Sequence, residues 1–263
     1  MSDRAEVQRQ LIRDQFTRQA IPFAEMPAHS NEGANQLLLE EAQIDGKDTV
    51  LDVACGPGLV ACKLAEVARS VVGIDLTPAM IEQARIRQQA RSLTNLTWIV
   101  GDAVPLPFPD ETFSVVVTRY SFHHFLQPQA VLAEMVRVCA PEGRVAIIDV
   151  FTRTSEQAEA YNRVEKLRDP SHVRALSLGE LTGLCHGAGL QDLKIAFFKL
   201  EMELETLLSA SFPNFGDADR IRQIFADDVG VDHLGLGTHR KDGSIHFAFP
   251  IVLLVGPKQA RWH

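Results

Sequence analysis

The sequence predicts an α/β fold: a doubly wound, mostly parallel sheet with helices on both faces. Three observations carry that prediction. From Thr49 to Val150, short apolar segments alternate with helical segments at the spacing of successive βαβ units. The first apolar segment runs directly into a glycine turn, Cys55-Gly56-Pro57-Gly58. Carboxylates then fall at the first three strand ends, as Asp52, Asp75 and Asp102. Right-handed crossovers place the helices on both faces. Ligands in such sheets bind beyond the strand C-termini, where the strand order reverses.

The elements follow in order. Val7, Leu11 and Ile12 recur at helical spacing within a polar stretch, predicting a short helix over 5–15. The aromatic and proline-punctuated stretch 16–27 reads as chain ordered only by packing. A helix over 35–42 ends at Asp45-Gly46. Strand 49–54, the glycine turn and helix 59–68 form the first unit, and strand 70–75 follows. Thr77 before Pro78 opens a helix reaching about residue 90, as an N-cap and first-turn proline should. Strands over 96–100 and 113–118 come next, then a helix over 128–138 and a strand over 143–150. Val115-Val116-Val117 reads as buried on both faces.

Beyond Val150 the pattern changes. An amphipathic helix over 155–167 is broken by Asp169-Pro170-Ser171-His172, and Ser177-x-x-Glu180 forms a capping box that starts the next helix. Helices over 204–212 and 219–227 lie between two strands, 190–200 and 245–255, expected to pair antiparallel. Pro250 inside the second predicts an edge position or a bulge.

Composition narrows the functional classes. With 263 residues, 46% of them hydrophobic, the chain can bury a sizeable core without disulfides or metal. Lys and Arg number 26 against 34 Asp and Glu, a formal charge of −8, which argues against a nucleic-acid partner. The N-terminal residues carry no apolar signal stretch, and the longest apolar run, 247–256, is too short to insert in a membrane as a helix. A cytoplasmic protein is expected. Cys55, Cys62, Cys139 and Cys185 form no C-x-x-C pair and read as free thiols. A metal held by His123, His124 and His172 has no supporting ligand spacing, so no metal is expected.

The charges at the glycine turn indicate what it holds. A dinucleotide turn has three glycines around a pyrophosphate. Here Gly56 and Gly58 are present, but position 61 is alanine, and Asp52 stands just ahead of the turn. A carboxylate there repels a pyrophosphate and attracts an ammonium. S-adenosylmethionine (SAM) carries an ammonium and a sulfonium and has no phosphate, so the turn fits SAM better than a nicotinamide dinucleotide. Asp75 can accept both hydroxyls of a ribose, and Asp102 a hydrogen bond from an adenine amino group. Each also reads as a turn or capping residue when taken alone.

With these residues in place, the sequence resembles the class I SAM-dependent methyltransferases, and within them the ubiquinone/menaquinone-biosynthesis type that acts on small molecules. The resemblance rests on Val50-Leu51-Asp52-Val53-Ala54-Cys55-Gly56-Pro57-Gly58, Val72-Gly73-Ile74-Asp75-Leu76-Thr77-Pro78-Ala79-Met80 and Gly101-Asp102-Ala103 with Leu106-Pro107-Phe108. Phe113-Ser114-Val115-Val116, Phe122-His123-His124-Phe125 and Glu134-Met135-x-Arg137-Val138 extend it, so that it covers about residues 45–150. It implies a seven-stranded sheet with an antiparallel last strand and one domain over 1–263. The divisions are an N-terminal helical lid (1–44), a SAM-binding core (45–150) and acceptor-side lid insertions (151–178 and 201–243). It also implies that Ala54, Gly56 and Gly58 lie against the methionine part of SAM, with Asp52 at its ammonium and Arg119 at the same end. Asp75 would take the ribose, Leu76 and Met80 the adenosine, and Asp102 and Ala103 the adenine edge. Phe16 would close over the cofactor.

Methyl transfer from a sulfonium is an in-line displacement that rests on alignment and exclusion of water. A base is required only for a poorly nucleophilic acceptor. His123 and His124 are the candidate bases, and Tyr120 could orient an acceptor oxygen; loop packing accounts for these residues equally well. His172, Arg168 and Arg174, in the break after the fifth strand, are candidate contacts to the acceptor. The phenylalanines late in the chain suggest an apolar or aromatic small-molecule acceptor. The sequence is compatible with a homodimer. Two other classes compete: a non-methylating SAM-dependent cyclase or decarboxylase, or a nicotinamide oxidoreductase, on the same scaffold; and a noncatalytic binding protein.

Overall fold

A computed structural model describes residues 2–26 and 32–259. The first helix, α1 (Ser2–Glu25), is longer than expected and runs through Phe16 and Pro22 without a break. Tertiary packing overrides the local signals. Gln8, Gln15, Gln19 and Ala20 are buried along one side, and Arg87 donates to the Ala24 carbonyl at 2.8 Å near the helix end. Pro27, which closed the stretch expected to be irregular, lies outside the described residues. Helix α2 spans Glu32–Glu41.

The alternating core appears as predicted: β1 (Thr49–Val53), α3 (Leu59–Ala65), β2 (Ser70–Asp75), α4 (Pro78–Ala90), β3 (Leu96–Val100), β4 (Phe113–Arg119), α5 (Pro128–Val138) and β5 (Cys139–Thr152). A single 3-10 turn, Phe122–His124, follows β4. Then come α6 (Ser155–Arg168), β6 (Leu176–Ser177), α7 (Leu178–Gly187), β7 (Lys194–Glu203), α8 (Leu204–Ser209), α9 (Asp217–Asp228), β8 (His239–Lys241) and β9 (Ser244–Pro257). The capping box at Ser177 and Glu180 forms as read, each side chain bonding the other's backbone N–H.

The main path of the sheet runs β3-β2-β1-β4-β5-β9-β7, with the short β6 beside β5 and β8 beside β9. Strands β1 to β5 pair in parallel, and β9 is antiparallel to both its neighbours. Successive residues feed opposite faces: Val115 and Val117 join one apolar layer, Val116 the other. Both faces are therefore covered, as a parallel sheet requires.

β9 was expected at an edge or with a bulge because of Pro250, but it is an interior strand. The β5–β9 ladder reaches only Val150↔Ile251, so at Pro250, opposite Lys199, β7 alone flanks the strand. The missing N–H falls where the second neighbour has already ended. Helix α6, expected within a lid, packs on β5 and α9 and buries Tyr161, Val164 and Glu165. Among the described residues, no helix is long and apolar enough to cross a membrane.

The strand order reverses between β1 and β4. β1 connects through α3 to β2 on one side, and its other neighbour is β4. The crevice beyond their C-termini is where the fold leaves room for a ligand.

Candidate functional site

A cavity of about 760 Å³ opens at this reversal. Its floor is the ends of β1, β2 and β4 and the glycine turn, and its roof is α1. Among the sequence-predicted residues it is bordered by Phe16, Asp52, Ala54, Gly56, Asp75, Leu76, Met80, Asp102, Ala103, Arg119, Tyr120 and His124.

The turn is built by backbone geometry. Ala54, Gly56 and Gly58 all have positive φ, at 55°, 51° and 75°. Gly58 does not border the cavity. A Cβ there would sit 2.8 Å from the Trp98 ring and 2.9 Å from the Ala84 Cβ, so glycine is required to seat the turn on β3 and α4. Gly56 donates its N–H to Asp75 Oδ2 at 2.8 Å, while Thr77 N–H donates to Asp75 Oδ1 at 2.8 Å. Asp75 thus ties the end of β2 to the turn. Each oxygen keeps a second lone pair, enough to accept the two hydroxyls of a ribose. Burial raises the Asp75 carboxyl above its usual range, against the pull of these backbone donors.

Asp52 is 1% exposed, and its Oδ2 has no hydrogen-bond partner among the described residues. Burial pushes its carboxyl up to about 7, with Arg119 and the Ala61 N–H holding it down and Asp75 adding to the rise. An under-compensated carboxylate bordering a cavity is a seat for a cation. The backbone N–H of Ala61, in the first turn of α3, is already directed at Asp52. A pyrophosphate would meet a carboxylate where it needs a donor. The residues present therefore fit SAM and do not fit a dinucleotide. Arg119 lies over the Tyr120 ring at 5.1 Å and donates to Asn35 Oδ1 at 3.2 Å, which leaves a positive charge at the same end as Asp52.

At the far end, Asp102 Oδ2 lies 3.5 Å from Arg9 Nη1 of α1. Gln8, Arg9, Ile12 and Phe23 of α1 border the cavity together with Phe16, and of these only Phe16 was anticipated. The four-residue spacing of Gln8, Ile12 and Phe16 on a single helix face was the available signal.

The two histidines separate. His124 borders the cavity and His123 does not. His123 Nδ1 sits 2.6 Å from Asp149 Oδ1, and Asp149 Oδ2 accepts the Phe122 N–H. Burial lowers the affinity of His123 for a proton, but the Asp149 charge and hydrogen bond outweigh it and the net shift is upward. His124 goes the other way. Burial and the neighbouring His123 push it down to about 4, so its imidazole is neutral at pH 7. Its ring stands edge-on to Phe16 at 5.0 Å. Tyr120 borders the cavity with φ 56°, and burial raises its phenol to about 12, so it remains a neutral hydrogen-bonding group.

The three residues expected at the acceptor do not border the cavity, because each is engaged elsewhere. Arg168 pairs with Glu165 at 2.6 Å and donates to Ser211. Arg174 is exposed and pairs with Glu180 at 2.7 Å. His172 is fully buried, with Nε2 2.8 Å from Asn162 Oδ1. The same segment instead contributes Val173 to the wall and, behind His124, the residues Asp169 and Ser171. Among the described residues, no group of three His, Cys, Asp or Glu is placed to hold a metal.

Comparison with known proteins identifies the domain and the fold. A family model for the methyltransferase domain matches residues 51–147. The methyltransferase YcgJ of Bacillus subtilis (strain 168), uncharacterized, is 28% identical over 229 residues, covering 85% of this chain and 89% of its own. The crystal structure of YcgJ superposes with a TM-score of 0.80 at 24% identity, covering 88% of this chain and all of its own, which shows a shared fold. The uncharacterized protein YafE of Escherichia coli (strain K12) is 35% identical over 143 residues, covering 54% of this chain and 69% of its own. A demethylmenaquinone methyltransferase of Thermus thermophilus is 38% identical over 102 residues, covering 38% of this chain and 46% of its own.

Proposed function

The chain belongs to the methyltransferase-domain family and is a SAM-dependent methyltransferase; from that premise we propose that it methylates a small molecule with an apolar or aromatic face, by alignment and with His124 as proton acceptor. The observation that carries the cofactor half is the buried, unpartnered Asp52 oxygen beside the glycine turn, where the Ala61 N–H of the following helix faces that carboxylate.

SAM supplies an electrophilic methyl group activated by positively charged sulfur. The chain's residues do the rest. Asp52 and Arg119 hold opposite charges at one end of the crevice, matching an ammonium and a carboxylate. Asp75 accepts from ribose hydroxyls, Leu76 and Met80 pack along the adenosine, and Asp102 with Ala103 meets the adenine edge. Phe16 and its helix cover the crevice, exclude water and leave the acceptor a fixed approach. Ile12, Phe125, Leu126 and Val173 give the remaining wall its apolar character, which supports an apolar or aromatic acceptor. The quinone acceptor named for the Thermus relative is of that class. Four thiols, all free and buried, suit a reducing cytoplasmic setting.

Calorimetry with SAM and its demethylated product, followed by a mass-spectrometric screen for acceptors that gain one CH₂, tests this reading. Binding of both nucleosides and a methylated small molecule is expected. No SAM binding, or a product formed without methyl gain, would overturn it.

A further inference from the structure

We propose that Asp169 and Ser171 are positioning residues that hold His124 in a single tautomer, with Nδ1 protonated, so that Nε2 is the proton acceptor of the site, and that Gln8 of the covering helix locks this arrangement. The inference rests on the reading of His124 given above and adds what makes it a base.

The hydrogen-bond chain has one consistent direction. Ser171 N–H donates to Asp169 Oδ1 at 2.8 Å, and Ser171 Oγ donates to the same oxygen at 2.6 Å. Asp169 is buried. Burial would raise its carboxyl, but His124, Arg168 and Ser171 outweigh that and lower it, so it stays an ionised acceptor. Ser171 Oγ has thereby spent its only hydrogen. It presents lone pairs to His124 Nδ1 at 3.1 Å, and the Ser171 carbonyl, also an acceptor, lies 3.2 Å from the same nitrogen. Two acceptors facing one ring nitrogen require the proton on Nδ1. Nε2 then carries the lone pair, and among the described residues both hydrogen bonds of the His124 ring are made at Nδ1. His124 borders the cavity, whereas His123 is held by Asp149 outside it.

The covering helix closes this unit. Gln8 Nε2 donates to the His124 carbonyl at 3.0 Å and to the Ser171 carbonyl at 2.6 Å, bridging the two segments that carry base and positioner. The groups facing His124 are His123 at 4.3 Å between ring centroids, His172 at 6.3 Å, the Asp169 and Asp149 carboxylates, and from α1 the uncharged Phe16 and Gln8. In transfer, the acceptor atom forms its bond to the methyl carbon while the sulfur–methyl bond breaks with its electron pair left on sulfur. The acceptor's proton passes to Nε2. The imidazolium so formed is balanced through Ser171 by Asp169 and returns its proton to water.

The test is nitrogen-15 NMR of the histidine rings in the free protein, repeated with S-adenosylhomocysteine and on the Ser171→Ala, Ser171→Thr, Asp169→Asn and Gln8→Ala variants. Diethyl pyrocarbonate, which modifies neutral imidazole nitrogens, is the chemical probe of Nε2. Wild type should show His124 as the Nδ1–H tautomer from pH 8 to below 6, with modification at His124 blocked by S-adenosylhomocysteine. Asp169→Asn should scramble the tautomer and slow modification severalfold with nucleoside binding intact; Ser171→Ala, which keeps the residue-171 carbonyl as one acceptor, should do so in part, and Ser171→Thr should restore both. Gln8→Ala should shift the tautomer in the same direction. An Nε2–H tautomer in wild type, or a tautomer and reactivity unchanged by Ser171→Ala and Asp169→Asn alike, overturns the proposal. Failure of the wild type to bind S-adenosylhomocysteine would instead count against the methyltransferase site, and the ring signals would still judge the relay.

Discussion

Cofactor binding should be proton-linked through Asp52. In the free protein its carboxyl titrates at about 7, because burial outweighs Arg119 and the Ala61 N–H. A bound ammonium favours the carboxylate, so binding below pH 7 must expel a proton. One pH unit then weakens the apparent affinity about tenfold, or about 1.4 kcal/mol. Asp52→Asn removes the titration. The amide oxygen still accepts from Ala61, but the charged contact is lost, which costs about 1.5–3 kcal/mol, roughly ten- to hundredfold in Kd at pH 7.5. The free protein should respond in the opposite sense. A carboxyl raised from 3.8 to about 7 stabilises the fold below the unfolded pKa, and that contribution is lost as pH rises through 7. At pH 8 the free Asn variant should therefore melt no lower than wild type. Calorimetry between pH 5.5 and 7.5, in buffers of different ionisation enthalpy, measures the proton count directly. An affinity independent of pH with no proton released, or a variant as tight as wild type, would refute the electrostatic account of the site.

Three further outcomes follow from the same geometry. Asp75→Ala should weaken SAM binding by about 2–4 kcal/mol, because it removes the ribose acceptor and the tie to the Gly56 N–H; calorimetry showing unchanged affinity would displace Asp75 from the sugar. Gly58→Ala should lower the urea midpoint by about 1–3 kcal/mol of stability, since its φ is 75° and the new Cβ meets Trp98 and Ala84 below 3.0 Å; an unchanged midpoint would mean that the turn relaxes freely. For an acceptor that must lose a proton, His124→Ala should reduce kcat about 10²–10⁴-fold with little change in the KM for SAM. His123→Ala should retain most of the rate, and equal rates in the two variants would reduce both histidines to packing.

The candidate cofactor end of the cavity was legible in the sequence because its parts are local. Asp52, the glycine turn and Asp75 lie within one βαβ unit, and strand β2 and helix α4 begin and end where apolar spacing and Pro78 place them. Gly58 was read only as a cofactor residue, and its packing on Trp98 and Ala84 emerges only in the fold. The continuous α1 was read as two pieces, because Pro22 and the clustered aromatics argue locally against a helix that burial and Arg87 sustain.

The acceptor half was illegible for a different reason. Arg168 and Arg174 look like free cations in sequence, yet each is neutralised by a carboxylate three or six residues away. Nothing local marks Asp169 and Ser171 as partners of His124, because the bond between Ser171 and His124 spans 47 residues. Gln8 joins them across 116 and 163 residues. Such contacts exist only once the sheet has brought the end of β4, the loop after α6 and the first helix to a single edge. The same helix also reaches the cofactor half, where Arg9 meets Asp102. Helix α1 therefore couples the two halves. On the proposed reading, the helix that would cover the cofactor also orients His124, so loosening α1 should impair proton transfer even where SAM still binds.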